Sequence, residues 1–330
     1  MNRYDILYIL FLFLFSCEKI IELNLQSDQK QLVVEGYIQP GLPAYVFITQ
    51  SESYFNTIDS NTLNNIAVSN ADVFVERNDG VVHKLTYIDD KIYDSLGFID
   101  LIDFPIGGFY LDVNYLEDDF SQSGFKYKLK IIVNEDTITA NTSIPYQYPV
   151  DSIWVELKDS MSEYKCYIWA AINDPDTLGN SIMIQFKRDV GWKPMDPLFI
   201  ESAIPLRNDN IFNGNRFNIF VSRSGRISDD DGVLLPFYSD RIVDDQFIRK
   251  DIVLLRISHI DLQTYFFWRG VFRSEDMNGN PFTEPMNLIG NVKGALGTWG
   301  GYGTSYYYVP IVKDTVIYEK YIDVSILEMF

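Results

Sequence analysis

The residues with the most specific chemistry lie near the N-terminus, where Ser16-Cys17 follows an apolar run. This run extends from Ile6 to Phe15 after the basic Arg3, a pattern typical of a signal peptide and too short to span a bilayer. Residues Leu14 to Cys17 resemble a bacterial lipobox, in which the cysteine thiol receives diacylglycerol before cleavage. The sequence therefore predicts a lipoprotein signal peptide over residues 1–16 and lipidation, including palmitate-type acylation, at Cys17.

A lipid anchor at Cys17 would hold the mature chain to outer-membrane lipid through two or three acyl chains. A single chain gives only marginal, reversible binding. Residues 17–30 would then form a tether. No later apolar run approaches the length of a membrane span, so we expect no transmembrane helix. An ordinary secretory signal, in which Cys17 is incidental, is the alternative.

A second group of candidate residues is a dense aromatic and glycine-rich segment near the C-terminus. It contains Trp299, Tyr302, Tyr306, Tyr307 and Tyr308. Such rings could stack on a sugar or fill a pocket of a partner protein. The alternative is a β-strand whose alternate rings enter the core. Because consecutive side chains of a strand point to opposite faces, at least one of the three consecutive tyrosines should lie outside the core and is the best candidate contact.

Acidic residues suggest two further kinds of chemistry. Asp229–Asp231 and Asp244-Asp245 are oxygen-rich and could bind Ca²⁺, but adjacent carboxylates in an extended loop point apart, so solvated loops and no metal site are predicted. Glu275, Asp276 and Glu284 could supply the carboxylate pair of a glycoside hydrolase. Nothing in the sequence marks one of them as a general acid.

Composition excludes several classes of protein. The 330 residues contain 27 Lys and Arg against 46 Asp and Glu, a net charge of −19, which disfavours nucleic-acid binding. Two cysteines and two histidines, His83 and His259, provide no disulfide scaffold and little for metal or triad chemistry. Cys166 is interpreted as a small buried strand residue. The glycines of residues 294–301 lack the lysine of a phosphate-binding loop, and no cofactor is predicted.

The elements that must position these residues are mainly strands. Residues 31–145 contain about seven short strands separated by turn signals, which predicts an immunoglobulin-like or transthyretin-like β-sandwich. Asn78–Gly80 is a predicted hairpin turn, and Lys126–Val133 alternates between lysine and apolar residues. Proline-containing residues 143–149 form a plausible linker to a second unit.

The second predicted unit, residues 146–330, is also β-rich but contains one main helix. The helix should begin after Asp261 as its N-cap, extend for about four turns and end before Gly279. Its apolar stripe is predicted to contain Leu262, Tyr265, Phe266 and Phe272, with Arg269 on the same side. The expected fold class is therefore mainly β, with a sandwich followed by a β-rich unit that contains this helix.

Six segments, in order along the chain, resemble the Bacteroidota outer-membrane lipoprotein family called domain of unknown function 4249. They are Cys17–Lys19, Leu32–Gly36, Asn173–Pro175, Asn208–Gly214, Asn278–Pro285 and Asn291–Tyr302. One departure is Ala295, where the family pattern has glycine, which implies that this position does not need a positive φ. The resemblance implies an outer-membrane lipoprotein often encoded beside TonB-dependent transporters, with no established reaction and no catalytic residues.

Three hypotheses for function follow. The first is a non-enzymatic, surface-facing lipoprotein that acts as an accessory subunit of a β-barrel outer-membrane protein, such as a TonB-dependent transporter. The second is a free-standing surface lipoprotein that binds a glycan or peptide, which a groove lined by aromatic rings would favour. The third is a hydrolase, which requires converging carboxylates in a cleft.

Overall fold

A computed structural model describes the chain over much of its length. The described residues are 30–52, 66–89, 108–148, 150–157, 164–190, 199–208, 213–223, 236–239, 241–243, 247–277, 288–312, 315–317 and 320–321. Over these residues the protein is mainly β, with 19 strands and one α-helix, α1. Within the described part of the chain, no helix combines the length and hydrophobicity that crossing a bilayer requires.

The strands are numbered in chain order, and most are between four and nine residues long. Their bounds are β1 Leu32–Ile38, β2 Tyr45–Gln50, β3 Asp72–Arg77, β4 Val82–Asp89, β5 Gly108–Leu111, β6 Lys126–Val133, β7 Asp136–Ser143, β8 Val150–Leu157, β9 Lys165–Asn173, β10 Ser181–Asp189, β11 Ile200–Asn208, β12 Arg216–Val221, β13 Phe237–Tyr238, β14 Arg241–Val243, β15 Phe247–Arg249, β16 Ile252–Ile260, β17 Leu296–Pro310, β18 Thr315–Ile317 and β19 Lys320–Tyr321, and α1 is Leu262–Met277.

The first sandwich forms from β1 to β7, as the alternating pattern predicts. One layer contains β1, β2, β5 and the second half of β4, and the other contains the first half of β4, β3, β6 and β7. The predicted turn at Asn78–Gly80 joins β3 to β4, with Gly80 at φ 97°. In β6 the lysines are exposed while Tyr127, Leu129 and Ile131 enter the core. These predictions are confirmed.

The second sandwich packs two further layers around its own core. One layer has the order β11-β10-β16-β17, and the other has β12-β9-β8-β18. The core contains Ile184 and Phe186 from the first layer and Ile168 and Ile153 from the second. Cys166 is fully buried in β9, as predicted for a small strand residue.

The 15-residue strand β17 belongs to both sandwiches. It pairs in parallel with β1 and antiparallel with β16. The strands of the first sandwich and the β11-β10-β16-β17 layer of the second therefore belong to one sheet of 12 strands, while the layer that contains β9 forms a separate sheet. Its inward side chains serve both cores: Trp299 enters the first, and Tyr307 and Val309 enter the second. The division into units at residues 145 and 146 stays a prediction, but this strand pairing crosses it.

Close packing at the β1–β17 pair depends on a glycine. A Cβ on Gly36 would lie 2.5 Å from Cε3 of Trp299, whose ring fills the space above it. The indole Nε1 of Trp299 donates a hydrogen bond to the carbonyl oxygen of Tyr127 at 3.2 Å. Nearby, Gly294 and Gly297 have positive φ while Ala295 does not, which confirms the inference from the substitution at that position.

Helix α1 begins where the sequence predicts. The Oδ1 atom of Asp261 accepts a hydrogen bond from the amide of Thr264 at 2.8 Å, which is an N-cap interaction. The buried stripe is rotated from the predicted one, because Tyr265 and Phe272 are buried but Leu262 and Phe266 are exposed. Helical spacing places Trp268 between the two buried rings, and this line packs against the sheet. Gly279 lies outside the described residues.

We expect Gly36→Ala to destabilise the protein by about 1–3 kcal/mol, because overpacking forces the Trp299 ring from its position. Urea unfolding of the variant would measure the loss. The Trp299→Phe variant serves as the matched background, because it removes the indole atoms that the new methyl group would contact. In this background Gly36→Ala should cost less. An equal cost of Gly36→Ala in both backgrounds would contradict this account.

Candidate functional site

The candidate site lies on the outer face of six adjacent strands. In sheet order they are β11, β10, β16, β17, β1 and β2. Strand alternation separates two sets of side chains: in β1, Val34 and Ile38 enter the core while Glu35 and Tyr37 point to the other face. Side chains of the second set, together with helix α1, surround a cavity on that face.

The cavity has a volume of about 290 Å³ and a mixed lining of rings and polar groups. Its lining residues are Glu35, Tyr37, Gln39, Tyr45, Phe47, Met183, Gln185, Phe199, Glu201, Arg256, Ser258, Trp268, Tyr302 and Thr304. Several of them, including Phe47, Glu201 and Trp268, are only half-buried. The cavity is therefore accessible from solvent.

Three tyrosines from neighbouring strands form a stacked row along one side of the cavity. The ring centroids of Tyr37 and Tyr45 lie 4.8 Å apart, and those of Tyr37 and Tyr302 lie 5.3 Å apart. The hydroxyl of Tyr302 accepts a hydrogen bond from Nε1 of Trp268 at 2.8 Å. Burial raises the pKa of all three phenols well above the usual value, so they remain protonated hydrogen-bonding groups.

A carboxyl group lies beside this row. The hydroxyl of Tyr37 donates a hydrogen bond to Oε1 of Glu35. Burial raises the pKa of Glu35, and the hydrogen bond from Tyr37 opposes that shift. Glu35 is therefore easier to protonate than an exposed glutamate and can present either an acceptor or a donor to the cavity.

A guanidinium group is held in a fixed orientation on the opposite side. Nε and Nη2 of Arg256 donate to Oε1 of Gln185 at 3.0 and 2.7 Å, and Nε2 of Gln185 donates to Oε1 of Glu201 at 3.5 Å. Cζ of Arg256 lies 3.9 Å from the ring centroid of Phe199, a cation–π contact. The three polar side chains come from adjacent strands in register, so the sheet itself aligns them.

The floor between these two sides carries hydroxyl and amide groups. The hydroxyls of Ser258 and Thr304 lie 3.0 Å apart. The Tyr306 hydroxyl donates to Oε1 of Gln39 at 3.0 Å. These groups are buried and already hydrogen-bonded, so the floor is ordered before any ligand enters.

Comparison with known proteins identifies the family. A family model described as Domain of unknown function (DUF4249) matches residues 18–307. The chain belongs to this family. No curated protein matches it significantly.

The DUF4249 match agrees with the segments on which the sequence resemblance rests, except Cys17, which immediately precedes it. In the structure, two of the six segments meet at the cavity. Leu32–Gly36 contributes Glu35, and Asn291–Tyr302 contributes Tyr302. The pairing of β1 with β17 brings them together across more than 250 residues of sequence.

The predicted aromatic contacts occupy three different environments. Tyr302 lines the cavity, and Tyr306 reaches its edge through Gln39. Trp299 and Tyr307 are buried in the two cores. Tyr308 is 42% exposed, which confirms that one of the consecutive rings lies outside the core. A role of any of these residues in binding a ligand or partner stays a prediction.

Several predicted site residues lie outside the described residues. These are Cys17, Asp229–Asp231, Asp244-Asp245 and Glu284, and the side chains of Glu275 and Asp276 are likewise undescribed. Within the described residues, no group of three or more His, Cys, Asp or Glu side chains is arranged to hold a metal ion.

Sequence reasoning missed most of the cavity. Glu35 and Tyr37 alternate with Val34, Gly36 and Ile38, and this alternation is one available signal that the two polar side chains share an outward face. Arg256 is the only arginine or lysine in the largely apolar β16, which is a second available signal. Neither signal shows that the outer faces of β1 and β16 belong to one continuous surface. This continuity depends on the pairing of β17 with both strands.

Both histidines lie outside the cavity lining. His83 Nδ1 lies 2.8 Å from Oδ2 of buried Asp112, and its ring stacks on Phe120. His259 is buried in β16 against the ring of Tyr148, and its Nδ1 has no hydrogen-bond partner among the described residues. Burial lowers the pKa of His259 to about 4.

We expect this depressed pKa to make the protein less stable in mild acid. Between pH 6.5 and about 4 the unfolded chain binds a proton that folded His259 does not, so the free energy of unfolding should fall by roughly 3 kcal/mol as the pH decreases. The His259→Gln variant should lack this component. Urea unfolding at a series of pH values, compared as a difference between the two proteins, measures it. A constant difference across this range would contradict the prediction.

Proposed function

We propose that this member of the family is a non-enzymatic outer-membrane lipoprotein that binds a small polar ligand in the cavity and acts beside a β-barrel outer-membrane protein. The observation that carries the proposal is the ordered cavity on the six-stranded face. Ligand sites are typically concave, rich in aromatic rings and equipped with a few oriented polar groups. This cavity has each of these properties.

The preformed order of the lining supports binding. Arg256 is held by Gln185 and Phe199, and Glu35 is held by Tyr37, so these groups have already lost rotamer freedom. A ligand that enters does not have to immobilise them. Preorganisation of this kind improves affinity without additional contacts.

The spacing of the carboxylates argues against a hydrolase at this cavity. Glu35 lies on β1 and Glu201 on β11, with three strands between them. At about 4.8 Å per strand, β1 and β11 are separated by roughly 19 Å along the sheet. Glycoside hydrolases place their paired carboxyl groups about 5–9.5 Å apart. The two carboxylates therefore do not form such a pair.

The proposed anchor is acylated Cys17. The family match begins at residue 18, immediately after this cysteine. This position supports the proposal that the mature protein starts at Cys17. Anchoring at residue 17 with a tether to β1 would keep the cavity close to the membrane surface. We assign the protein to the outer face of the outer membrane, where a ligand from the medium is accessible.

A β-barrel partner, such as a TonB-dependent transporter, is the expected recipient of the ligand. Family membership over residues 18–307 supports this part of the proposal, because the resemblance implies that such transporters are often encoded nearby. A shared membrane raises the local concentration of two anchored proteins, so a weak contact between them is sufficient. The alternative is a free-standing surface protein that binds a glycan or peptide without a fixed partner.

We expect the tagged lipoprotein to retain a β-barrel protein in stoichiometric amount when it is purified from native outer membranes in mild detergent. Mass spectrometry before and after a salt wash identifies the partner. A Cys17→Ser variant is the matched control, since it should fail to reach the membrane fraction and should not recover the barrel. Recovery of the wild-type lipoprotein alone would leave the free-standing binding protein as the function.

A further inference from the structure

We infer that the ligand of the cavity is a neutral carbohydrate of one or two sugar rings. This inference rests on the proposed binding function and deepens it by naming the ligand class. Three properties of the cavity carry it: charged groups of both signs, polar groups beside aromatic walls, and a position centred on strands that are paired on both sides.

The charges around the cavity balance and favour a ligand without net charge. Glu35, Glu201 and Arg256 line the cavity, and Lys187 lies just outside this lining, with its Nζ 4.8 Å from the ring centroid of Phe199. A phosphorylated or polyanionic ligand would meet both carboxylates. A cation would meet the guanidinium of Arg256 instead.

A purely apolar ligand is also disfavoured. It would remove water from the carboxyl groups of Glu35 and Glu201, which can each accept more hydrogen bonds than the one they receive from Tyr37 and Gln185. Desolvation of a carboxylate without a new hydrogen bond is costly. The lining therefore favours a ligand with several hydrogen-bond donors.

A pyranose ring meets both requirements, because it has apolar C–H faces and a rim of hydroxyl groups. Phe47 and Trp268 are half-buried rings in the lining and provide apolar surface for these faces. Gln185, Arg256 and Glu35 are planar groups that can engage neighbouring hydroxyls. The volume of about 290 Å³ lies at the lower end of ligand pockets, which limits the ligand to one or two rings.

The sheet topology argues against an extended peptide as the ligand. Peptides commonly bind to sheets by adding a strand at an unpaired edge. Four of the strands around the cavity, β10, β16, β17 and β1, have a hydrogen-bonded neighbour on each side. The edge strand is β11, and part of its outer side is occupied by the bridge between Ser202 and Arg223. Most of the cavity therefore presents side chains of paired strands, which suits recognition of hydroxyl groups.

The test uses the full lipoprotein in a detergent without a sugar headgroup, since glycoside detergents would compete. Neutral pyranose monosaccharides and their disaccharides are titrated by saturation-transfer NMR and calorimetry, with free amino acids and tripeptides as the competing class. We expect saturable binding of at least one sugar. The variants Trp268→Ala and Arg256→Met should each weaken it at least tenfold, while Tyr146→Ala, at an exposed position outside the cavity lining, should not.

Circular dichroism melts of each variant confirm that it folds, and Glu35→Gln provides a second, isosteric test of the lining. Binding of amino acids or tripeptides that is lost in the cavity variants, without sugar binding, would overturn the carbohydrate assignment and leave the ligand-binding function intact. Failure of every probe to bind, or equal binding by wild type and all cavity variants, would overturn both.

Discussion

The interaction on which the rest of the structure depends is the double pairing of β17. This strand bonds in parallel to β1 at its first half and antiparallel to β16 along its second half, so one backbone closes the first sandwich and completes a layer of the second. Parallel pairing between strands so distant in sequence needs a long connection, and here nearly the whole of the chain provides it. Trp299 and Tyr307, on the same strand, then belong to different cores. Loss of this pairing would separate the sandwiches and remove the floor of the cavity.

Continuity of the sheet also explains why the cavity is ordered. Five of its polar side chains lie in register on adjacent strands: Glu201, Gln185 and Arg256 form one line, and Ser258 and Thr304 form another. The backbone hydrogen bonds between the strands set the spacing of these groups. Hydrogen bonds between the side chains then fix their orientation. Helix α1 covers one end through Trp268, whose indole is hydrogen-bonded to Tyr302. The strands are held by cores on their other side, and among the lining residues only Gln39 and Phe199 lie outside a strand or helix, so regular elements set most of the shape of the cavity.

The same alternation separates the hydrophobic cores from the cavity. Most inward residues of the six strands are aliphatic or aromatic and buried, whereas outward residues include the charged and hydroxylated groups of the cavity. A substitution on the outer face can therefore change the cavity without changing the core. It also accounts for the mixed behaviour of the aromatic segment at residues 299–308, in which neighbouring rings serve packing, the cavity and the solvent-exposed surface in turn.

The amino-acid sequence by itself determined the mainly β fold, the first sandwich, the hairpin at Asn78–Gly80 and the start of α1 at Asp261, because these follow from local periodicity, turn residues and capping. The family also follows from short segments read in order. Only the tertiary structure decided which face of α1 is buried and which aromatic rings reach the cavity. It alone brought Glu35 and Tyr37 together with Arg256 and Tyr302. The physical reason is that strand alternation is encoded locally, whereas the pairing of β1 with β17 is selected by packing and hydrogen bonding between segments more than 200 residues apart.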